Sequence, residues 1–596
     1  MVTNAFHGMW RLGRIITNSG IRTLNPALRR ASTLAQSRIV KGPNNEKIIK
    51  SPYGDLPCLS DMLLHEYVWN KAEDYTDKIA LECGVTGKKY TYAQAKDATN
   101  YIGRSLQNLG LKKGDVVALV TPNLPDSALG FLGILSAGLI CTTMNPQYMA
   151  DEISRQLTES NAKAIITSTA IASMVLTAAN ACLPPQTPII VIDDRTKPIP
   201  EGCILFDDLI TRGKSLPDTN PSRCSIDDVA VLPFSSGTTG LPKGVMLTHR
   251  NLVSNINMCE YSLGDNKFLP TTDTFQDVIP AVLPFFHIYG LNGMLLPGLS
   301  KGRKFVTIPK FVPEIYLSVL EKTKVNKSLQ VQATVLYCVP PLILFMATSP
   351  FMKNHHLESV DKIFSGAAPL AQSDVDKFYD KFKFDRDLKF GQGYGLTESS
   401  PVAFTESTLK KFSSIGRNVA NCEARLVDVT TQRDVSGPGQ TGELWIRGPH
   451  VMKGYLNNEV ATKETLTEDK WLKTGDIAYY DEDYDFYITD RLKELIKVKG
   501  FQVPPAELEA LLRSHPDVQE AAVVGIPHER YGEVPKAFIV ISKDKKPTEQ
   551  DIQNFVKGKV SDYKELKGGV TFVTDIPKNP SGKILRAHLK KDCAKF

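Results

Sequence analysis

Short apolar runs of strand length alternate with helical patterns along most of this chain. Five of these runs end in loops rich in Gly or Pro, at residues 228–234, 278–283, 333–338, 361–364 and 388–390. Strand, loop and helix in repetition predict an α/β body with mixed, largely parallel sheets flanked by helices. Ligands of such sheets bind at the loops that leave the carboxyl ends of the strands, so we expect the functional site there.

The pattern changes after Asp490. It predicts a hairpin at 493–500, a helix at 505–515, strands at 520–524 and 536–541, a helix at 549–561 and a strand at 570–573. About 100 residues of mixed helix and strand fit a small separate domain. We therefore predict a large domain over 55–490 and a small α+β C-terminal domain over 491–596.

The first forty residues have the composition of a targeting segment. Residues 1–45 hold six Arg, one Lys and no acid, and Met9, Leu12, Ile15 and Ile16 share one side of a helical wheel. Such composition predicts a mitochondrial transit peptide over 1–40, processed near 29–32, and the mitochondrial matrix as the compartment. The alternatives are a basic tail without an address, the cytoplasm, or the peroxisome, because residues 594–596 faintly resemble a Ser-Lys-Leu ending.

Charge and cysteine usage exclude several classes. The net charge is +6 over 596 residues, and removing the +7 of residues 1–45 leaves −1, so the body has no basic surplus for nucleic acid. The ten cysteines form no CxxC pair, which indicates reduced thiols. The longest apolar stretch, 128–143, is shorter than the roughly 20 residues of a membrane span and predicts a buried helix followed by a strand. Peripheral membrane contact and the oligomeric state stay open.

A Gly/Ser/Thr-rich loop carries the strongest chemical signal. It reads SSGTTGLPKG over 235–244 and follows a buried strand. Glycines let the backbone approach an anion, hydroxyls donate to phosphate oxygens, and a lysine adds positive charge. The loop differs from a Walker A loop because Pro242 precedes the lysine. The candidate phosphate-binding residues are Ser235, Ser236, Gly237, Thr238, Thr239, Gly240 and Lys243.

This loop and five further motifs resemble the adenylate-forming superfamily of acyl-CoA synthetases, most of all the subgroup of 4-coumarate–CoA ligases and beetle luciferases. The further motifs are GQGYGLTE at 391–398, GELWIRG at 442–448, TGD at 474–476, DRLKELIK at 490–497 and PKNPSGKILR at 577–586. The resemblance covers about residues 55–590. It implies that a carboxylate attacks ATP to give an acyl-adenylate and pyrophosphate, and that CoA then displaces AMP. Small-molecule acid, ATP, Mg²⁺ and CoA are the implied ligands.

The resemblance also implies roles for individual residues. Lys583 would reach from a mobile small domain to the carboxylate and α-phosphate, and Glu398 would bind Mg²⁺. Thr397 would contact the α-phosphate, and Asp476 and Arg491 the ribose. Ala367, Gln392, Gly393 and Tyr394 resemble the adenine site. Lys493 matches the hinge, Gln502 the adenylation arrangement, and Lys497, Lys499, Gly500 and Lys310 the thioester-forming or CoA-contacting elements.

The acid site rests on further matches. His287 resembles a histidine that guards the carboxylate tunnel, and Tyr289, Gly293, Gly366, Gly395, Pro401 and Val402 resemble the acyl-pocket wall. We expect Gly293, Gly366 and Gly395 to leave room for an aromatic ring or an alkyl chain. The acid is therefore expected to be a medium- or long-chain fatty acid or an aryl acid.

Two other functions share parts of this pattern. A luciferase-like adenylating oxygenase uses the same motifs, and a non-catalytic nucleotide-binding protein would be expected to lack Lys583, Glu398 or Asp476, all of which are present. The Phe-Asp element with which amino-acid adenylation domains hold an ammonium group is missing from 284–290. An acid–thiol ligase is the leading interpretation.

Overall fold

The computed structural model describes residues 38–593, except for 44, 57–59, 218–223, 236–241, 264–269, 323–329, 369, 371, 385–387, 407–410, 436, 499–500 and 580–581. The predicted transit peptide lies outside the described residues up to position 37, as do 594–596, so the compartment stays a prediction. Among the described residues, no helix has both the length and the apolar character that crossing a membrane requires.

A nine-stranded sheet forms the first half of the large body. Its strands, in spatial order, are Phe234–Ser235, Lys243–Thr248, Val229–Val231, Ile140–Met144, Val116–Val120, Ala162–Ser168, Ile189–Ile192 and Ile204–Leu205, with Gly454–Tyr455 also paired to Lys243–Thr248. The six from Val229–Val231 onward are parallel. They are short apolar runs because helices cover the sheet, namely Leu64–Trp69, Tyr92–Asn108, Pro125–Ser136, Ala150–Ser160, Ala172–Cys182, Phe206–Ser215 and His249–Leu263.

The apolar stretch at 128–143 is a buried helix followed by a strand, as predicted. Helix Pro125–Ser136 is buried from Pro125 through Leu135, and strand Ile140–Met144 follows in the parallel sheet. Gly138 lies between them with φ +75°, a left-handed conformation that glycine adopts at little cost.

Two smaller parallel sheets form the second half of the body. One has the order Gln330–Gln332, Phe275–Ala281, Lys304–Thr307, Ile79–Cys83 and Lys89–Thr91, of which only the last strand is antiparallel; the other is Val335–Cys338, Lys362–Ser365 and Lys389–Gln392. Their helices are Leu296–Leu299, Pro313–Lys322, Pro340–Thr348 and Gln372–Lys381. A seven-residue π-helix, Tyr289–Leu295, precedes the first of these helices.

Two antiparallel sheets complete the large body. The strands of the larger sheet are Ile39–Lys41, Lys47–Ile49, Glu423–Val427, Gly442–Arg447, Leu472–Tyr480 and Phe486–Arg491. Those of the smaller sheet are Tyr394–Gly395, Val402–Thr405 and Arg417–Asn418. Helix Glu459–Thr465 lies in the chain between Gly442–Arg447 and Leu472–Tyr480. The 3-10 turns are Ala72–Tyr75, Asn354–Leu357, Thr397–Ser399 and Asp562–Lys564.

The C-terminal part has its own sheet and its own cores. Its strands are Phe501–Val503, Ile496–Val498, Gly532–Ile541, Val518–His528 and Val570–Phe572, and its helices are Pro505–Arg513, Glu549–Val556 and Arg586–Cys593. Every residue of its two hydrophobic clusters lies at position 496 or beyond. The predicted helix at 549–561 was too long. The observed helix ends at Val556, and Gly558, two residues later, adopts the left-handed φ of +77° that is common after the end of a helix. The domain limits at 490/491 stay a prediction.

Gly213 tests the packing of the helices on the nine-stranded sheet. A Cβ at Gly213, in helix Phe206–Ser215, would lie 1.9 Å from the carbonyl oxygen of Tyr101. Replacing glycine within a helix with alanine normally stabilises it by roughly 0.5–1 kcal/mol. Overpacking against a rigid backbone costs about 1–3 kcal/mol, so it outweighs that gain. We expect Gly213→Ala to lower the Tm in a calorimetric scan.

The matched control is Gly437→Ala, because a Cβ at Gly437 meets nothing within 4 Å. Equal Tm values for the two variants would contradict the close packing of these helices.

Candidate active site

The carboxyl ends of three parallel strands meet at one edge, as the sequence predicts. Cys338, Ser365 and Gln392 end strands that pair in register. The loops after Ser365 and Gln392 line a cavity of about 1290 Å³. The predicted residues that line it are Ser235, Lys243, His287, Tyr289, Gly293, Gly366, Ala367, Gly393, Tyr394, Gly395, Thr397, Glu398, Pro401, Val402, Arg491, Lys493 and Lys583. Motifs separated by more than 300 residues therefore share one cavity.

Other predicted residues lie elsewhere. Asp476, Gln392, Lys310 and Lys497 are not among the residues that line the cavity, and Lys310 and Lys497 are exposed to solvent. Ser236, Gly237, Thr238, Thr239, Gly240, Lys499 and Gly500 lie outside the described residues, as does the side chain of Gln502.

Glu398 presents a carboxylate to the cavity from the 3-10 turn Thr397–Ser399. The hydroxyls of Ser235 and Tyr455 both donate to its Oε1, over 2.9 Å and 3.0 Å. Within the described part of the chain, no hydrogen bond or ion pair engages its Oε2. A buried carboxylate with one oriented oxygen suits a hard cation such as Mg²⁺, so the residues present fit the predicted metal ligand.

The ends of the phosphate loop are held opposite each other. Ser235 and Lys243 are partners in an antiparallel pair, so the loop leaves from and returns to one place. The Lys243 ammonium lies 5.1 Å from the centroid of the Tyr455 ring. Tyr455 therefore contacts both the predicted metal ligand and the predicted phosphate-binding lysine.

Asp476 lies beneath the cavity wall. Its Oδ2 accepts a 2.6 Å hydrogen bond from the Tyr394 hydroxyl, and its Oδ1 is 2.9 Å from Nε of Arg491. Asp476 and Arg491 are also partners on adjacent antiparallel strands. Both carboxylate oxygens are thus engaged by residues that themselves line the cavity. A ribose in the cavity would meet Tyr394 and Arg491, and Asp476 holds both of these side chains from behind the wall.

Lys583 enters the cavity on a tight loop of the C-terminal part. The backbone N–H of Lys583 donates to Oδ1 of Asn579, and the N–H of Asn579 donates to the Lys583 carbonyl, each over 2.9 Å. Gly582 adopts φ +81°, and a Cβ there would lie 3.1 Å from two ring carbons of Pro341. The close approach of Gly582 to the body places Lys583 in the cavity.

Four cations meet in this cleft. Burial lowers the pKa of Lys583 to about 8, and the neighbouring Arg491 acts in the same direction. Burial also lowers the pKa of Lys493, followed by repulsion from Lys243. A lysine whose pKa is lowered by burial and by a nearby positive charge is stabilised in its charged form by a bound anion. The cleft is therefore suited to a polyphosphate.

His287 is half-buried in the wall of the cavity. Burial lowers its pKa to about 4, so it is neutral at physiological pH, and its Nδ1 accepts the N–H of Tyr289 over 3.2 Å. Asn123 holds the preceding loop, because its amide accepts from the N–H of Phe285 and donates to the carbonyl of Leu283, each over 2.8 Å.

The acyl wall differs from the expectation about its glycines. A Cβ at Gly293 would lie 2.9 Å from the Tyr289 ring, and one at Gly366 would lie 3.2 Å from it. These glycines therefore leave room for Tyr289, not directly for the acid. A Cβ at Gly395 would lie 1.8 Å from the Pro401 carbonyl oxygen, so the expectation of open space there was wrong. Gly393 is open, with only one atom, 3.6 Å away.

Gln392 is also corrected. Its Oε1 accepts from the N–H of Leu370 over 2.8 Å, and its Nε2 donates to the carbonyl of Ser414 over 3.1 Å. Its side chain is thus used within the fold and is turned away from the cavity. The predicted adenine contact would require the backbone of this residue.

Comparison with known proteins agrees with this geometry. The model of the AMP-binding enzyme family matches residues 68–456, and that of the AMP-binding enzyme C-terminal domain matches 507–583. This chain belongs to the AMP-binding enzyme family. It is 40% identical to 4-coumarate–CoA ligase 1 of Arabidopsis thaliana over 559 residues, 92% of this chain and 96% of the relative.

Solved structures of family members have the same fold. ATP-bound MatB from Rhodopseudomonas palustris is 26% identical, with a TM-score of 0.77 over 89% of this chain and 99% of its own. A benzoate CoA ligase from Burkholderia xenovorans LB400 is 25% identical, with a TM-score of 0.77 over 89% and 100%. This member of the AMP-binding enzyme family is accordingly an AMP-forming acid–CoA ligase, with ATP and CoA as substrates.

Two residues of this site were missed from the sequence. Tyr455 connects Glu398 to Lys243, and Asn123 fixes the loop before His287. Tyr455 lies only seven residues after the recognised motif at 442–448, which was a usable signal. Asn123 gave no signal in the sequence, because its hydrogen-bond partner Phe285 lies more than 150 positions away in the chain.

Lys583 generates a prediction about pH. Its ammonium is present below a pKa of about 8 and is lost as pH rises through that value. Since kcat/KM reports groups of the free enzyme, kcat/KM for ATP in adenylation should fall as pH rises from 8 to 9.5. ATP–pyrophosphate exchange across this range measures it.

Lys583→Arg is the control, because a guanidinium stays charged throughout this range. This variant should be slower overall but lack the alkaline fall. An identical alkaline fall in both enzymes would assign the titration to another group.

Proposed function

We propose that this enzyme activates an acid with an apolar aryl or alkyl body. The acid's carboxylate attacks the α-phosphate of ATP, pyrophosphate leaves, and the CoA thiol then displaces AMP to give the thioester. The observation that carries this proposal is the meeting of Lys243, Lys493, Lys583 and Arg491 with Glu398 in one cavity. The cations match a polyphosphate. Tyr289, Tyr337 and Phe364 line the same cavity, and we call the part next to these rings the acid recess.

In the first step, Lys583 would stabilise charge that develops at the α-phosphate while Lys243 binds the departing phosphates. Preorganised charges of this kind act strongly in a desolvated cleft. Thr397 faces the same space. Glu398 would hold Mg²⁺, which neutralises phosphate charge when bound. Because His287 is neutral, it would not hold the incoming carboxylate in an ion pair.

In the second step, a different face of the C-terminal part would enter the cleft. Lys497 lies on the hairpin of Ile496–Val498 and Phe501–Val503 and is exposed, outside the cavity. A turn about Lys493 would withdraw Lys583 and bring in Lys497 with Lys499 and Gly500, and Lys310 is a candidate contact for CoA. One cleft would thus serve two reactions in sequence.

The acid recess favours an aryl acid. Tyr289 forms its wall, and the rings of Tyr337 and Phe364 stack beside it with centroids 5.8 Å apart. Aromatic pairs of this kind accommodate a planar ring. The relatives named for 4-coumarate and benzoate support the same class. Ile256 and Leu263 extend the apolar lining, which keeps a medium- or long-chain fatty acid as the second candidate.

Two lysine variants should separate the half-reactions. Lys583→Ala should slow adenylation by roughly 10²–10³, as for loss of one preorganised donor. It should leave thioester formation from presynthesised acyl-AMP much less affected, because Lys583 has then withdrawn. Lys497→Ala should show the opposite pattern. Both half-reactions are followed in single-turnover experiments, and equal damage to both in either variant would contradict the rotation.

An acid panel tests the substrate class. ATP–pyrophosphate exchange with cinnamic, benzoic, hexanoic, decanoic, palmitic and amino acids should be fastest with an aryl or alkyl acid, and CoA should then release AMP. Oxygen uptake is recorded in the same assay. CoA-dependent AMP release without oxygen uptake is expected. Oxygen consumption with light emission would instead support the luciferase-like alternative, and an amino acid as the fastest substrate would refute the proposal.

A further inference from the structure

A row of charged side chains leads through the C-terminal part to Lys583. Nη1 of Arg586 donates to Oε2 of Glu494 over 2.6 Å, and its Nη2 donates to both carboxylate oxygens of Glu509, over 2.7 Å and 2.8 Å. Oε1 of Glu494 lies 3.9 Å from Nζ of Lys583. Glu494 therefore has one carboxylate oxygen on the arginine and the other next to the lysine.

Arg586 holds the Glu494 carboxylate in place. Its guanidinium is planar and donates in fixed directions, and the side chains of Arg586 and Glu494 are only 14% and 23% exposed. Glu509 in turn accepts the backbone N–H of Val523 over 2.8 Å, which ties this row to the sheet of the C-terminal part. Glu494 is therefore oriented by the interior of this part.

The contact between Glu494 and Lys583 is close without being a hydrogen bond. Its 3.9 Å exceeds the usual hydrogen-bond range of about 2.7–3.2 Å, so the ammonium feels the charge of Glu494 but keeps its donors for a ligand. A closed ion pair would compete with a phosphate for the same donors. Lys583 lines the cavity and Glu494 does not, so Glu494 can influence a substrate there only through Lys583.

We propose that Glu494 is a positioning residue for Lys583, which it keeps charged and in place at the cavity until ATP binds. This inference rests on the proposed role of Lys583 in adenylation. Burial is the main cause that lowers the pKa of Lys583; among the charged groups, Arg491 and Arg586 lower it further, whereas Glu494 and Asp476 raise it. Without the charge of Glu494, two cations would face the ammonium against a single acid, and its pKa would fall.

Glu494→Gln tests the proposal because it removes the charge and keeps the shape. For a charge about 4 Å away in a partly exposed site, the alkaline fall in kcat/KM for ATP should move about one pH unit below its wild-type midpoint of about 8. Relative to wild type, ATP–pyrophosphate exchange should then be about tenfold slower at pH 9 and nearly unchanged at pH 6. A loss by one factor at every pH would show a merely structural role and refute the proposal.

The same change in a Lys583→Arg background shows whether Glu494 acts through the lysine. A guanidinium stays charged across this range, so Glu494→Gln should there cause no pH-dependent loss. This background also isolates Asp490, whose pKa is raised to about 7, mainly by burial and partly by Glu494. A pH-dependent loss that persists without Lys583 would assign the effect to another group and overturn the proposal.

Glu509→Gln is the matched control. It removes an equal charge from the same arginine, while the contact between Glu494 and Lys583 stays. Its alkaline midpoint should match the wild type, and Glu494→Asp, which retains the charge, should recover most of the midpoint lost in Glu494→Gln. A midpoint displaced as far in Glu509→Gln as in Glu494→Gln would contradict the specific role of Glu494.

The pKa of Lys583 can also be measured without catalysis. Competitive labelling of the full chain with acetic anhydride at a series of pH values, followed by mass spectrometry of the peptide that contains Lys583, gives this pKa without acid or ATP. It should be lower in Glu494→Gln than in wild type, and an unchanged value would refute the inference while leaving the ligase function standing. Absence of pyrophosphate exchange with every acid would instead refute the ligase function.

Discussion

The site depends on holding several positive charges together in one cavity. Lys243, Lys583 and the pair Arg491 and Lys493 come from three separate segments, and burial together with repulsion from a neighbouring cation lowers the pKa of both Lys493 and Lys583. Such an arrangement costs free energy in the absence of a ligand. A polyphosphate removes that cost, so the energy spent in assembling the cations is recovered when ATP binds.

The fold supplies this arrangement from two independently packed parts. The large body contributes loops at the carboxyl edge of its parallel strands, together with Glu398 oriented by Ser235 and Tyr455. The C-terminal part contributes Lys583 on a loop that approaches Pro341 through Gly582. Since the two parts have separate cores, one can move against the other without disrupting either.

Close packing of the protein against itself shapes the acid recess. Gly293 and Gly366 accommodate the Tyr289 ring, and Gly395 accommodates the Pro401 carbonyl. The recess is therefore bounded by aromatic rings set in place by glycines. The side chains of Arg303 and Tyr337 also line this cavity.

The sequence by itself determined the family, the fold class and seventeen of the residues that line the cavity, because each motif is a short run whose chemistry can be recognised locally. It also predicted the buried helix and strand at 128–143. Only the tertiary structure decided that Gln392 serves the fold, that Asn123 holds the loop before His287, and that Tyr455 contacts both Glu398 and Lys243. The physical reason is that these roles depend on contacts between segments distant in the chain, and hydrophobic pattern and local spacing carry no information about which distant partners will meet.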